Sequence, residues 1–237
     1  MQIENNIVFL QTNRIVTDSP STLRGFIGKM FPNNPIIHHH SRDGTTKLIY
    51  SYPKIQYKII DGRPIILGLL EGVKVVEDIS AKLHQLELKS KIYTILNKKH
   101  ERKEVYISIT NNRLRYKFLT PWLALNEESY RRYKKNNPKE KQKQLESILV
   151  GNIISMAKGL EYVVTDKIIA TIDVKEMPMS LKGVPMLGFL GNFSVNFEIP
   201  DYWGIGKSVS RGFGTIKRVR EWGSGRVREL RSRELRS

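Results

Sequence analysis

Three consecutive histidines, His38-His39-His40, open a short polar stretch that runs on through Ser41-Arg42-Asp43-Gly44. Lys29, Lys47, Tyr50 and Tyr52 lie close enough in sequence to converge on them. Imidazole ionises near neutral pH, so it can take one proton and give another. A lysine can hold the charge that builds on a reacting oxygen. Together these groups suit cleavage of RNA without a metal. That reaction needs a base for the 2′-hydroxyl, an acid for the leaving 5′-oxygen and a cation beside the phosphate. In an extended segment His38 and His40 would point to one side and His39 to the other. Two rival readings use the same residues. His38, His40 and Asp43 can ligate a metal, although no fourth ligand is evident. The three histidines can also be no more than part of a solvated loop.

A second constellation lies far downstream, in Asp201-Tyr-Trp-Gly204-Ile205-Gly206-Lys207-Ser208-Val209-Ser210-Arg211-Gly212-Phe213-Gly214. Two Gly-apolar-Gly triplets flank five residues that carry two cations and two hydroxyls. Glycine lets a ligand come close, and successive free N–H groups can form an anion-binding concavity. Tyr202, Trp203 and Phe213 add flat faces. Such a loop suits a phosphate backbone with a base beside it. It is not a phosphate-binding P-loop, because the first glycine would have to fall at Asp201. It is not a dinucleotide fingerprint, because glycine would have to stand at Val209. The bland alternative is a glycine-rich hairpin that only turns the chain.

Composition points the same way. Lys and Arg number 40 against 23 Asp and Glu, a net charge of +17. That excess implies a polyanionic partner or an acidic membrane surface. No basic amphipathic helix with exposed aromatics stands out, and the longest apolar run, Ile65 to Leu70, is far too short to span a bilayer. Cysteine is absent, which rules out disulfides and thiolate metal sites and fits a reducing cytoplasm. The first residues lack the basic start and long apolar core of a signal peptide. At 237 residues the chain can hold two small domains.

The elements that must position these residues follow in order. Ile3 to Leu10 reads as a strand. Asp18-Ser19-Pro20-Ser21 starts a helix with Leu23, Phe26, Ile27, Met30 and Phe31 on one face, and Arg24 and Lys29 off it. Pro32 to Pro35 forces a loop that runs into the histidines. Lys47 to Tyr52 and Pro53 to Ile59 read as extended, the second with period-two alternation. Asp61-Gly62 is a hairpin turn, and Pro64 to Leu70 the returning strand. Val75, Val76, Ile79, Leu83 and Leu86 line one helix face, and Leu88 to Leu96 is a strand. The order is βαββαβ, the ferredoxin-like arrangement. His84 and His100 read as ordinary surface or packing residues. Lys98 to Lys103 reads as a charged joint, with the domain boundary somewhere from 98 to 113. Val105 to Ile109 and Arg113 to Leu119 read as strands around an Asn111-Asn112 turn. Glu127 to Lys143 is either a solvated loop or a basic RNA-facing patch. A helix follows from Glu140, a strand from Ile168 to Val174, a strand from Val184 to Ile199 broken at Gly188 or Gly191, and a last short strand at Thr215. Glu-Leu-Arg-Ser recurs at 229–232 and 234–237, so residues 222–237 read as a vector-derived tail. The residues before that tail still carry +14. The expected layout is two tandem ferredoxin-like domains, 1–103 and 104–221, the second degenerate.

The stretch from Gly204 to Gly214 resembles the glycine-rich signature of the CRISPR-associated RAMP proteins. More narrowly, it is similar to the endoribonucleases that cut CRISPR repeat transcripts into guide RNAs. The order of elements up to residue 216 is similar too. The resemblance implies two ferredoxin-like domains, metal-independent cleavage and a histidine just after the first helix, the position that His38 to His40 occupy. Lys47 resembles the family's charge-stabilising lysine, and Tyr50, rather than Tyr52, its assisting tyrosine. The expected catalytic set is therefore His40, His38, Lys47, Tyr50 and Lys29. Gly204, Gly206, Lys207, Ser208, Ser210, Arg211, Gly212 and Gly214 are the expected RNA contacts. No metal or other cofactor is expected. RNA is the expected partner, with effector-complex subunits and a second copy of the chain as protein partners to consider. The expected products are a 2′,3′-cyclic phosphate and a 5′-hydroxyl. The alternative is a non-catalytic RAMP subunit that only holds RNA; a weaker one is a basic RNA-binding protein of another kind.

Overall fold

The computed structural model describes residues 1–38, 52–181 and 183–219. His39, His40, Asp43, Lys47 and Tyr50 lie outside the described residues. The N-terminal half is built from β1 (Gln2–Thr12), α1 (Pro20–Met30), α2 (Pro35–His38), β2 (Ile55–Ile60), β3 (Arg63–Leu69), α3 (Gly72–Lys82), β4 (Gln85–Leu88) and β5 (Lys91–Tyr106). Its antiparallel sheet has the order β2-β3-β1-β5-β4. Setting aside the edge hairpin strand β4, this is the ferredoxin-like order. Ser19 caps α1 through its hydroxyl, which accepts from the Thr22 amide, and Pro20 takes the first turn.

The C-terminal half comprises β6 (Ser108–Phe118), α4 (Glu127–Lys135), α5 (Pro138–Gly159), β7 (Ala170–Leu181), β8 (Val184–Glu198), a 3₁₀ turn (Val209–Arg211) and β9 (Ile216–Arg218). Its sheet order, β7-β8-β6-β9, is again ferredoxin-like. Between β8 and β9, where the pattern calls for a second helix, the glycine-rich loop stands instead. That substitution is what makes the second copy degenerate.

Several local expectations change. Leu86 belongs to β4, not to α3, which ends at Lys82. The run Lys98 to Lys103 is no joint but the middle of β5, where Lys98 to Arg102 face Leu10 to Asn6 of β1 residue by residue. Backbone pairing outweighs the charge, because the side chains need not leave water to make it. β6 passes through Asn111-Asn112 with a register irregularity between Ile109 and Leu114 in place of a turn. β8 runs unbroken through Gly188 and Gly191. The Glu127 to Lys143 stretch folds as two helices, because Asn126 with Ser129 and Asn137 with Glu140 form capping boxes. The backbone of His38 ends a short helical turn in place of an extended segment.

Two cores result. Val8, Leu10, Leu23, Ile27, Ile66, Val76 and Ile79 fill the space between the first sheet and α1 and α3. Ile3, Ile7, Ile65, Leu67 and Leu69 point to the opposite face of that sheet. There they join Tyr116, Phe118, Trp122, Leu149, Ile153, Phe193, Trp203 and Ile205 in one cluster that spans both halves. Among the described residues no helix is long and apolar enough to cross a membrane.

Candidate nucleic-acid interface

The two Gly-apolar-Gly triplets face each other as short limbs. The Ile205 amide donates to Gly214 O (2.9 Å), the Ile216 amide to Trp203 O (3.0 Å) and the Tyr202 amide to Ile216 O (2.8 Å). Lys207 to Arg211 form the tip. The Gly204 amide donates to Gln56 Oε1 (3.1 Å), the Gly212 amide to Val209 O (3.0 Å) and the Gly214 amide to Pro121 O (2.9 Å). These three glycines therefore have no N–H to offer a phosphate, which corrects the anion-cradle expectation for them. They serve close packing instead. A Cβ at Gly204 would lie 2.5 Å from Val209 Cγ1, and one at Gly212 would meet Pro20 Cγ at 2.8 Å and Tyr57 O at 2.9 Å; Gly206 is as tightly placed, 2.6 Å from Trp122 Nε1.

The loop is also the joint between the halves. Tyr52 donates its hydroxyl to Gly204 O (2.8 Å), and Trp203 Nε1 donates to Asn5 Oδ1 (2.9 Å). Burial pushes the Tyr52 phenol well above its ordinary pKa. Its bond to Gly204 and its burial make Tyr52 a structural pillar rather than a proton carrier. Lys58 is fully buried at the same joint, where Nζ donates to Gln56 Oε1 at 2.9 Å. Burial without a carboxylate lowers its pKa to about 7. The unfolded chain keeps that ammonium protonated to far higher pH. Below pH 7 the folded protein must therefore bury a charge. The penalty fades as pH rises from about 7 towards 10, the window where only the unfolded state holds the proton. Lys58→Met should raise the melting temperature clearly at pH 6, with the gain shrinking towards pH 10. Thermal melts across that range check it, and an equal change at both ends would refute the buried charge.

At the tip one hydroxyl meets the first domain, while one cation turns back into its own half. Lys207 Nζ donates to Leu125 O (3.0 Å), and partial burial lowers its pKa. Arg24 Nη1 of α1 donates to Ser210 Oγ (3.2 Å). Ser208 holds a left-handed backbone, with φ 56°. Lys29 is exposed in the last turn of α1. The structure thus gathers Ser210 and Arg211 near Arg24, with Lys207 and Ser208 on the same tip. Sequence reasoning placed Arg24 only by its absence from the apolar face of α1. No local signal says that it meets a residue 186 positions away. Gln56 and Lys58 were missed for a related reason: they occupy the polar phase of an alternating strand, and the loop of the second domain, together with Tyr52, covers them.

The family described as Cas6b N-terminal domain matches residues 1–106, and the Cas6b C-terminal domain matches residues 108–219. The chain belongs to the Cas6b family. A solved Cas6b crystal structure is 34% identical with a TM-score of 0.84, over 92% of this chain and 100% of that one. A second, described as the CRISPR RNA processing endoribonuclease Cas6b, is 32% identical with a TM-score of 0.74 over the same shares. An uncharacterized protein of Methanocaldococcus jannaschii is 41% identical over 145 residues, 61% of this chain and 99% of that protein. The two Cas6b halves meet at Ile107, between β5 and β6. The glycine-rich loop is one of the elements by which the C-terminal half binds the N-terminal half, through Gly204 to Gln56 and Tyr52 and Trp203 to Asn5.

Proposed function

We propose that the protein cuts CRISPR repeat RNA without a metal, by attack of a 2′-hydroxyl on the adjacent phosphate. One observation carries this reading: the Cas6b match runs through both halves, and a relative of 32% identity is described as a CRISPR RNA processing endoribonuclease. One of His40 and His38 takes the 2′-hydroxyl proton as the oxygen bonds to phosphorus. The P–O5′ bond breaks, and the other imidazole gives a proton to O5′. The products are a 2′,3′-cyclic phosphate and a 5′-hydroxyl. Lys47 offsets the charge on the phosphate oxygens, with Tyr50 and Lys29 assisting. Lys207, Ser208, Ser210 and Arg211 hold the RNA backbone, and the loop glycines give the tip its shape. RNA is the partner this chemistry requires; effector-complex subunits and a second copy of the chain are the protein partners to test.

The test is incubation with the repeat RNA of the host array in excess chelator, followed by end mapping. Cleavage should persist and leave a cyclic phosphate. Activity lost in chelator and regained with a divalent ion would put a metal at His38, His40 and Asp43 instead. Tight binding without cutting would favour the non-catalytic subunit.

A further inference from the structure

Among the described residues, the seam between α1 and the loop tip carries two guanidinium groups and no carboxylate paired with them. Arg24 reaches across it to Ser210 Oγ. Arg211 is held at the same seam by its neighbours on both sides. Ser210 touches Arg24, and Gly212 packs on Pro20 and on the Tyr57 carbonyl. The pKa of Arg24 is lowered first by burial and then by the charge of Arg211, a sign of two like charges within reach of each other. Elsewhere Arg102, Arg131 and Arg218 each pair with a glutamate. Among the described residues neither Arg24 nor Arg211 has an acidic partner. Beside them lies an unanswered donor: among the described residues the buried Tyr57 hydroxyl has no hydrogen-bond partner, and its interaction with Arg24 places it next to that guanidinium.

Two half-buried cations and an idle hydroxyl, with no carboxylate among the described residues to answer the charge, form a site short of an anion. We propose that Arg24 and Arg211 together clamp one internucleotide phosphate of the RNA, so that the strand itself closes the seam between the two domains. The inference rests on the reading of the protein as an RNA enzyme and adds Arg24, from the first domain, to the binding surface. Arginine suits the task because its planar fork meets phosphate oxygens in pairs. Because the two side chains share one phosphate, removing both costs less than the product of the single losses.

The experiment compares wild type, Arg24→Gln, Arg211→Gln and the double variant. Fluorescence anisotropy with the labelled host repeat RNA is read across a salt series, alongside thermal melts of the free proteins. Each single variant should lose about tenfold to a hundredfold in affinity, the worth of a charge-assisted phosphate contact. The slope of log affinity against log salt should fall by about 0.7 for a single-stranded contact. The double variant should lose less than the product. The melting temperature of free Arg211→Gln should hold or rise in low salt, since a repulsion is relieved. Wild-type affinity and slope in both single variants would overturn the clamp while leaving the enzyme reading intact. So would fully multiplicative losses, which would mean two separate phosphates. A lowered melt with unchanged affinity would make the pair a structural joint. A wild type that binds no repeat RNA would overturn both readings.

Discussion

A repeat RNA carrying a single 2′-deoxy nucleotide 5′ of the mapped cut should bind as tightly as the all-ribose strand and stay whole at that bond. The nucleophile is gone, while every phosphate that draws the RNA to a chain of net charge +17 remains. On the protein side, His40→Ala and His38→Ala should each slow single-turnover cleavage by about 10²–10⁴-fold, the usual worth of a positioned acid or base. Affinity should change little, because a neutral imidazole adds no charge to the electrostatic term. The double variant should lose less than the product of the singles, since the two groups act as a unit. Full activity in both single variants, or cutting of the deoxy strand at the same bond, would sink this chemistry.

The largest effect on stability is expected at Gly214. Its φ is +62°, and a side chain there would run into the Ile205 carbonyl oxygen, across the two limbs of the loop. Gly214→Ala should therefore cost about 2–4 kcal/mol, combining left-handed strain with a contact that only backbone movement can relieve. For a chain of this size that lowers the melting temperature by roughly 5–15 °C. Cleavage should fall with it, because the limb that shifts is the one that carries Arg211 and Gly212 against the first domain. Gly151→Ala serves as the contrast. Gly151 lies inside α5, and a Cβ there would meet nothing within 4 Å. Alanine should stabilise it by about 1 kcal/mol through helix propensity. Calorimetric melts of the two variants decide it, and a Gly214→Ala protein as stable as wild type would show that the loop is less tightly closed than described.

Signals confined to a few neighbouring residues were legible in the sequence. Ser19-Pro20 opens α1, Asp61-Gly62 turns β2 into β3, and the paired glycines mark the loop. Misreadings arose where a distant strand or domain decides the outcome. Lys98 to Lys103 looks like a linker by charge, yet β1 supplies a hydrogen-bonding partner for its whole length. Gln56 and Lys58 occupy the polar phase of an alternating strand, as exposed residues would, yet the loop and Tyr52 cover that face. The loop itself was legible as a site by its cations, whereas the bonding of its glycine amides follows from where Gln56 and Pro121 stand in space. Of the catalytic set, Lys29 falls on a described side chain and His38 on a described backbone, so the order of α1 and α2 is what the structure adds there.

The missing second helix of the C-terminal half has a consequence for how the molecule behaves as a material. A ferredoxin-like unit normally covers its sheet with two helices of its own. Here Trp203 and Ile205, carried by the loop, are buried in a cluster to which Ile3, Ile7 and Leu67 of the other half belong. The junction at Ile107 is thus a boundary in sequence but not in cooperativity. Severed there, each fragment would present an oily face to water, one the apolar side of a five-stranded sheet and the other an unsupported loop. The chain gains its second module by surrendering that module's independence.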